Sequence, residues 1–260
     1  MTESREVAQL SSAKFQERIS ESSILVQPLG AVEQHGPHLP LATDLIIAEA
    51  VAREAVHRCA DRGIDVWLLP SLALTKSNEH AWSPGTVWMS ASTMQSILDD
   101  IGRSIATTHC RKLVFFNGHG GNSALVAMMN REIRLKHGLM TFLTHPSIPV
   151  DQGGQASPEE LGMGIHGGHD ETSLMLHLRP DLVDMSLARR SVPENLVGND
   201  HLRFGGTVQF GWASNDFDDS GVIGDPEGAN ADFGSRAFEN AVSRFCEALE
   251  EIDEYTIRGR

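Results

Sequence analysis

Four consecutive apolar residues, Leu113-Val-Phe-Phe116, set between two helical repeats, constrain this chain more than any other feature of its sequence. Ahead of them Met94, Ile97, Leu98, Ile101 and Ile105 keep the spacing of a helix lying on a core, and behind them Leu125, Met129 and Ile133 begin another that ends at Gly138. An unbroken apolar run is what a central parallel strand covered on both faces requires, and its parallel neighbour is reached through a crossover helix. The alternation recurs. Ser23 to Pro28 reads as a strand, followed by a helix whose apolar row is Ile47, Val51, Ala55 and Cys59 and which stops at Gly63. Val66 to Leu69 and Leu139 to Leu143 read as further strands, and Leu202 to Trp212 has strand character as well. Ser11 to Ser20 reads as a short polar helix and Thr172 to Leu178 as a helix stopped by Pro180. Phe238, Val242, Phe245, Leu249 and Ile252 form the core stripe of a long C-terminal helix. The expected class is α/β, with a parallel sheet between helical layers and active residues at the carboxyl ends of the strands. All 260 residues are expected in one domain, with residues 1–20 as an N-terminal extension.

Two strand-to-helix crossovers carry the candidate chemistry. The first runs from Leu29 to Asp44; Glu33 and His35 are two residues apart, so extended backbone points both to one side, and Gly36, Pro37 and Pro40 can fold the chain back until Asp44 faces the same space. A carboxylate, an imidazole and a second carboxylate suit a divalent metal that takes mixed nitrogen and oxygen ligands. The same residues also read as a solvated carboxylate, a hydrogen-bonded loop histidine and a helix cap. The second crossover, Asn117-Gly-His-Gly-Gly-Asn122, offers three glycines for a sharp turn and close approach, with His119 as its metal-binding side chain and Ser123 as a cap for the next helix. It has neither the P-loop nor the dinucleotide spacing, so a nucleotide site is rejected.

Residues 146 to 164, rich in Pro, Gly and polar side chains, are expected to form an excursion over the active face that ends in Gly164-Ile-His-Gly-Gly-His-Asp-Glu-Thr-Ser173. That segment places His166, His169, Asp170 and Glu171 within six positions, and His169 is read as a polar loop residue. The loop from Thr75 to Thr86 presents Glu79, His80 and Trp82, either as a substrate wall or as surface residues around a half-buried tryptophan. Asn215 to Gly228 is an acidic loop without calcium-loop spacing, and its acids are read as solvated. The remaining histidines are read as structural, with His38 and His80 nearest the cleft. Taken together, Glu33, His35, Asp44, His119 and Glu171 suffice for two divalent ions, with Asp44 bridging, and the natural reaction is hydrolysis of a C–N bond.

Composition narrows the partners. A net charge of −14, with no Lys/Arg run longer than two, opposes nucleic acid and anionic membranes. No stretch approaches the roughly 20 apolar residues of a membrane helix. Cys59, Cys110 and Cys246 are odd in number and far apart, which excludes a disulfide framework and fits a cytoplasmic protein.

Three ordered blocks resemble the signatures of the creatininase (creatinine amidohydrolase) family: Glu33-Gln-His-Gly-Pro-His-Leu-Pro with Asp44, Asn117-Gly-His-Gly-Gly-Asn122, and His166-Gly-Gly-His-Asp-Glu-Thr-Ser173. The loop from Glu79 to Thr86 and Gly221-Val-Ile-Gly-Asp-Pro226 are similar too. The resemblance implies a three-layer α/β/α sandwich with a mostly parallel central sheet, and a homohexamer. It implies that Glu33 and His119 bind one metal, His35 the other and Asp44 both, with zinc foremost and manganese or iron as alternatives. It implies His166 as the catalytic histidine, orienting substrate or passing a proton to the leaving nitrogen; Glu171, from the reading of the residues themselves, is the other candidate catalytic residue as well as a candidate ligand.

Two departures bear on substrate. Creatininase has a glutamate ligand where this chain has Gly121, so the second metal must lean on Glu171 or water. The tryptophans that creatininase places around creatinine have no counterpart at Thr144-His145 or Gly162-Met163. The Asn-Gly-His-Gly-Gly-Asn form is closer to the family's formamide hydrolases of flavin-type cofactor biosynthesis and to the mycofactocin-system peptidase. The expected substrate is therefore a small amide, formamide, lactam or short peptide; the competing reading is a non-catalytic oligomeric scaffold that keeps the fold.

Overall fold

The computed structural model describes residues 4–146 and 158–257. Its helices are α1 (Ser12–Arg18), α2 (Thr43–Asp61), α3 (Ala91–Ala106), α4 (Ser123–His137), α5 (His169–Leu178), α6 (Glu194–Val197) and α7 (Ala231–Glu254). The strands are β1 (Ile24–Leu29), β2 (Val66–Leu68), β3 (Lys112–Asn117) and β4 (Met140–Thr144), all parallel, in the order β2-β1-β3-β4. No helix among the described residues is long and apolar enough to cross a membrane.

Period-two alternation in the strands sorts the core into two layers. Ile24, Val26, Val66, Leu68, Val114 and Phe116 face α2 and α7, where Val51, Ala55, Phe245 and Leu249 cover them. Leu25, Leu29, Trp67, Leu113 and Phe115 face the opposite way, onto Met94 and Leu98 of α3 and Val126 and Ile133 of α4. The expected α/β/α sandwich is thus built by side chains that alternate across one sheet. Phe116 stacks on Phe245 with ring centroids 4.3 Å apart, tying β3 to the C-terminal helix. Val7, Leu10 and Phe15, ahead of the sheet, pack against the second layer. Gly138 closes α4 in the left-handed conformation, φ 75°, as its position predicted.

The order in which strands are added reverses at β1: β2 lies to one side of it, and β3 and β4 lie to the other, all still parallel. A crevice opens at such a switch point outside the carboxyl ends of the strands. Both candidate motifs leave the sheet there, one after Leu29 and one after Asn117, which are partners in the β1/β3 register.

Several expectations are corrected. Leu202 to Trp212 forms bends and turns, not a strand. Gly205 takes a positive φ of 72°, and Phe204 gathers Phe210, Trp212 and Phe217 into an aromatic cluster on Met163 and Ile223 in place of a sheet neighbour. Ser123 does not cap α4. It is the helix's first residue, and its hydroxyl accepts from Asn117 Nδ2 at 3.3 Å and lies 3.2 Å from His145 Nε2. Helix α5 begins three residues earlier than expected, which puts His169, Asp170 and Glu171 in its first turn, where a helix favours acids. His169 is therefore helical, packed edge-on to Phe233 at 4.5 Å. Asp225 of the acidic loop is not solvated; its carboxylate is mostly covered and lies 3.6 Å from Arg190 Nε. Most of the excursion expected over residues 146 to 164 lies outside the described residues.

Candidate metal centre

The turn after β1 folds as its glycine and prolines suggest. Gly36 takes a positive φ of 74°, Glu33 N–H donates to Leu41 O at 2.8 Å, and Thr43 Oγ1 donates to Pro40 O at 2.7 Å. The result brings Glu33, His35 and Asp44 together with at most 2% of any of them exposed. His35 Nε2 lies 3.0 Å from Asp44 Oδ1 and 3.8 Å from Glu33 Oε1. From β3, Gly118 N–H donates to Leu29 O at 2.8 Å, and Asn117 Nδ2 holds His119 O at 2.7 Å. His119 then points Nδ1 at Asp44 Oδ2, 3.0 Å away, and at Glu33 Oε2, 3.3 Å away. Glu171, on the first turn of α5, accepts from Gly167 N–H at 2.6 Å and places Oε2 3.9 Å from His35 Nε2. His166 enters from the preceding loop, with Nδ1 3.8 Å from Glu33 Oε1 and its ring centroid 4.2 Å from that of His35.

Each of these histidines commits one ring nitrogen to a backbone carbonyl, which can only accept. His35 Nδ1 meets Glu33 O at 3.3 Å, His119 Nε2 meets Lys76 O at 2.9 Å, and His166 Nε2 meets Gln34 O at 2.7 Å. Those nitrogens therefore carry protons, and the other nitrogen of each ring turns toward the carboxylates. Metal-ligating histidines are oriented in this way. Glu33 Oε1 and Asp44 Oδ2 are buried and face imidazole nitrogens, Asp44 Oδ2 meeting His119 Nδ1 at 3.0 Å and Glu33 Oε1 meeting His80 Nε2 at 3.5 Å, so that their charge is balanced only by a proton on those rings or by a cation. The ligand atoms of Glu33, His35 and Asp44 lie within 4.8 Å of one another, as do those of His35, His166 and Glu171 and those of Glu33, His80 and His166. The donor set fits one or more divalent metals of the nitrogen- and oxygen-binding kind.

The electrostatics of the metal-free chain say the same. Burial lowers the His35 pKa, but Asp44 and then Glu171 and Glu33 outweigh it and raise it to about 10, so an imidazolium stands where positive charge is wanted. His119 is raised well above the usual imidazole value by Glu33 and Asp44 against burial. Asp44 is held far below the carboxylate range by His35 and His119 although burial opposes this. Burial, with Asp44 and Glu33 adding to it and His35 opposing, raises Glu171 to about 7. Burial and the neighbouring His80 and His35 push His166 well down.

The loop after β2 contributes more than a wall. His80 is buried, its ring centroid 4.1 Å from that of His166 and its Nε2 3.5 Å from Glu33 Oε1. Glu79 lies against the far edge of His119, 3.3 Å from Nε2. Trp82 alone stands at the rim, 38% exposed, with Nε1 donating to Ser214 Oγ at 2.8 Å. Ser77, absent from the expected set, donates to Glu33 Oε2. Its only signal was membership of the same polar loop. His38 is structural as expected, bonded through Nε2 to Thr172 Oγ1 at 3.0 Å. A cavity of about 320 Å³ opens over Glu33, Asp44, His119 and Glu171, and a groove of about 430 Å³ runs along α7 past Phe233 and Arg236. His166 and Glu171 line both.

Comparison with known proteins agrees with this geometry. The family model described as creatininase, creatinine amidohydrolase, matches residues 8–249. The chain is 36% identical to a mycofactocin precursor peptide peptidase of Mycobacterium tuberculosis, over 91% of this chain and 88% of the relative. It is 33% identical to a creatinine amidohydrolase of Pseudomonas putida, over 71% and 76% respectively. Among solved structures, a mutant creatininase of Zn-Zn type superposes with a TM-score of 0.76 at 25% identity, covering 98% of this chain and all of that one. A manganese creatininase superposes at 0.75 and 26%, covering 97% of this chain and all of that one.

Proposed function

The chain belongs to the creatininase family of amidohydrolases, hydrolases of C–N bonds, and from that premise we propose that it cleaves a short peptide with the help of two divalent cations. Glu33 and His119 would hold one cation, His35 with Glu171 the other, and Asp44 both, with zinc the first choice and manganese or iron the alternatives. When bound, such a pair lowers the pKa of a shared water and polarises the scissile carbonyl. The observation that carries this reading is the pair of buried carboxylate oxygens, Glu33 Oε1 and Asp44 Oδ2, that face imidazole nitrogens, with the His35 and His119 rings already oriented by backbone carbonyls.

The chain's own residues do the rest. His166 has its Nε2–H committed to Gln34 O and a depressed pKa, so at neutral pH Nδ1 is an open acceptor. Nδ1 takes a proton from water as the O–C bond forms and returns it to the amide nitrogen as the C–N bond breaks, leaving a carboxylic acid and an amine. Glu171, lining both the cavity and the groove, stands where the two sides of the scissile bond would meet. The groove, walled by Ile47, Leu174 and Phe233, has room for side chains beyond a single small amide. Together with the similarity to a peptide peptidase, this favours a peptide over a formamide or lactam, and either over creatinine. A homohexamer in the cytoplasm belongs to the same proposal.

Elemental analysis of the purified protein, then mass spectrometry of peptides, formamides, lactams and creatinine incubated with and without chelator, tests it. Bound metal and peptide cleavage that chelator abolishes and zinc or manganese restores is the expected result. Absence of metal, or cleavage indifferent to chelator, refutes it; a metal-loaded protein inert toward every amide favours the scaffold reading.

A further inference from the structure

His119 has two faces with different surroundings. Nδ1 looks into the carboxylate cluster, whereas Nε2 looks at the loop after β2, meeting Lys76 O at 2.9 Å and Glu79 Oε1 at 3.3 Å. Glu79 sits on the short turn Asn78–His80, with its carboxylate largely buried and its other oxygen 3.2 Å from Lys76 Nζ. The loop itself is tied to the β3 turn, since Lys76 N–H donates to Asn122 Oδ1 at 3.2 Å. The carboxylate reaches the ring only because position 121 has no side chain. A Cβ placed on Gly121 would fall 1.7 Å from Glu79 Oε1 and 2.5 Å from His119 Nε2. Gly121 and Glu79 thus share one space, and it is filled from the loop instead of from the turn.

We propose that Glu79 is a positioning residue for the metal centre: its carboxylate, standing in the room that Gly121 leaves, accepts from His119 Nε2–H and so turns Nδ1 toward Glu33 and Asp44. A charged acceptor on the outer nitrogen makes the imidazole a stronger ligand than a backbone carbonyl alone would. Glu79 does not coordinate the ion, because it lies on the side of the ring away from the carboxylates. The loss of a side chain at position 121 and the presence of Glu79 are therefore one feature. The ion in this argument rests on the proposed function; the orientation of the ring does not.

Two readouts test it on the full-length protein carrying ¹⁵N-labelled histidine. The first is the His119 Nε2–H resonance, metal-free and Co(II)-loaded; the second is affinity for Zn(II) and Co(II) by titration. In the parent protein the N–H proton is expected downfield and slow to exchange. Glu79→Ala should move it upfield, speed its exchange and weaken metal binding about 10- to 100-fold. Glu79→Gln, which keeps a neutral acceptor, should retain the resonance and recover most of the affinity. Gly121→Ala, whose Cβ would meet both the Glu79 carboxylate and the His119 ring, should weaken metal binding at least as much as Glu79→Ala. Thermal unfolding confirms that each variant is folded. An unchanged N–H signal and affinity within about twofold in Glu79→Ala would assign the whole task to Lys76 O and overturn the proposal. A parent protein that binds no metal would refute the dinuclear reading, while the metal-free N–H signal still decides the role of Glu79.

Discussion

His35 Nε2 and Asp44 Oδ1 face each other at 3.0 Å in an interior where neither side chain is more than 3% exposed. In the metal-free chain this contact binds a proton more tightly than the unfolded chain does. The His35 pKa stands at about 10 against the ordinary 6.5, and His119 is displaced in the same direction. The stabilisation is complete below pH 6.5 and is lost as pH climbs through 10, because over that interval the folded state holds the extra proton. Denaturant melts of metal-stripped protein between pH 7 and 10 should show stability declining, with much of the slope removed by His35→Gln. Zinc should flatten the curve, since metal takes the place of the proton. A flat profile without metal would contradict the assignment.

Asp44 touches both halves of the centre, so its loss should empty the site as a whole. Asp44→Asn is expected to carry less than half the metal of the parent protein and to lower kcat/KM about 10³-fold, the order of several kcal/mol that two-cation catalysis supplies. Paired elemental analysis and peptide assays check this. Full metal content in the variant would remove Asp44 from the ligand set.

His166 separates binding from turnover. With His166→Gln, kcat should fall by about 10²- to 10⁴-fold, the range of a general acid–base group, while metal content and KM stay near the parent values. Parallel loss of metal would instead make the residue a ligand.

The core makes a separate prediction. Phe245 is buried against Phe116, and Phe245→Ala should cost roughly 3–5 kcal/mol in urea denaturation of the metal-loaded protein. Metal stoichiometry should stay unchanged, because the Glu33–His35–Asp44 turn lies beyond the end of β1.

What was readable in advance follows from what is local. Leu113–Phe116 and the stripe Phe238–Ile252 announce their elements through periodicity that burial enforces, and both hold in the structure. The nearness of Glu33, His35 and Asp44 is readable because Gly36, Pro37 and Pro40 fold the chain within one short stretch. Leu202–Trp212 misleads because aromatic, β-prone composition describes a surface to be covered, and here Phe204 and Trp212 cover each other without a strand edge. Ser123 misleads because Asn117, six residues earlier, takes its hydroxyl. Neither the place of His80 above Glu33 nor the sharing of space by Glu79 and Gly121 has a local signal, since both arise where loops from different strands meet.

Pairing between β1 and β3 runs without interruption from Ile24↔Lys112 to Leu29↔Asn117. The spacing between the two crossovers is consequently gauged by a rigid ladder of peptide groups, not by the loops that overhang the cavity. The rim at Trp82 and the aromatic knot around Phe204 can then be redesigned for a different amide while the cation cradle keeps its dimensions, which makes this scaffold a natural chassis for altered specificity.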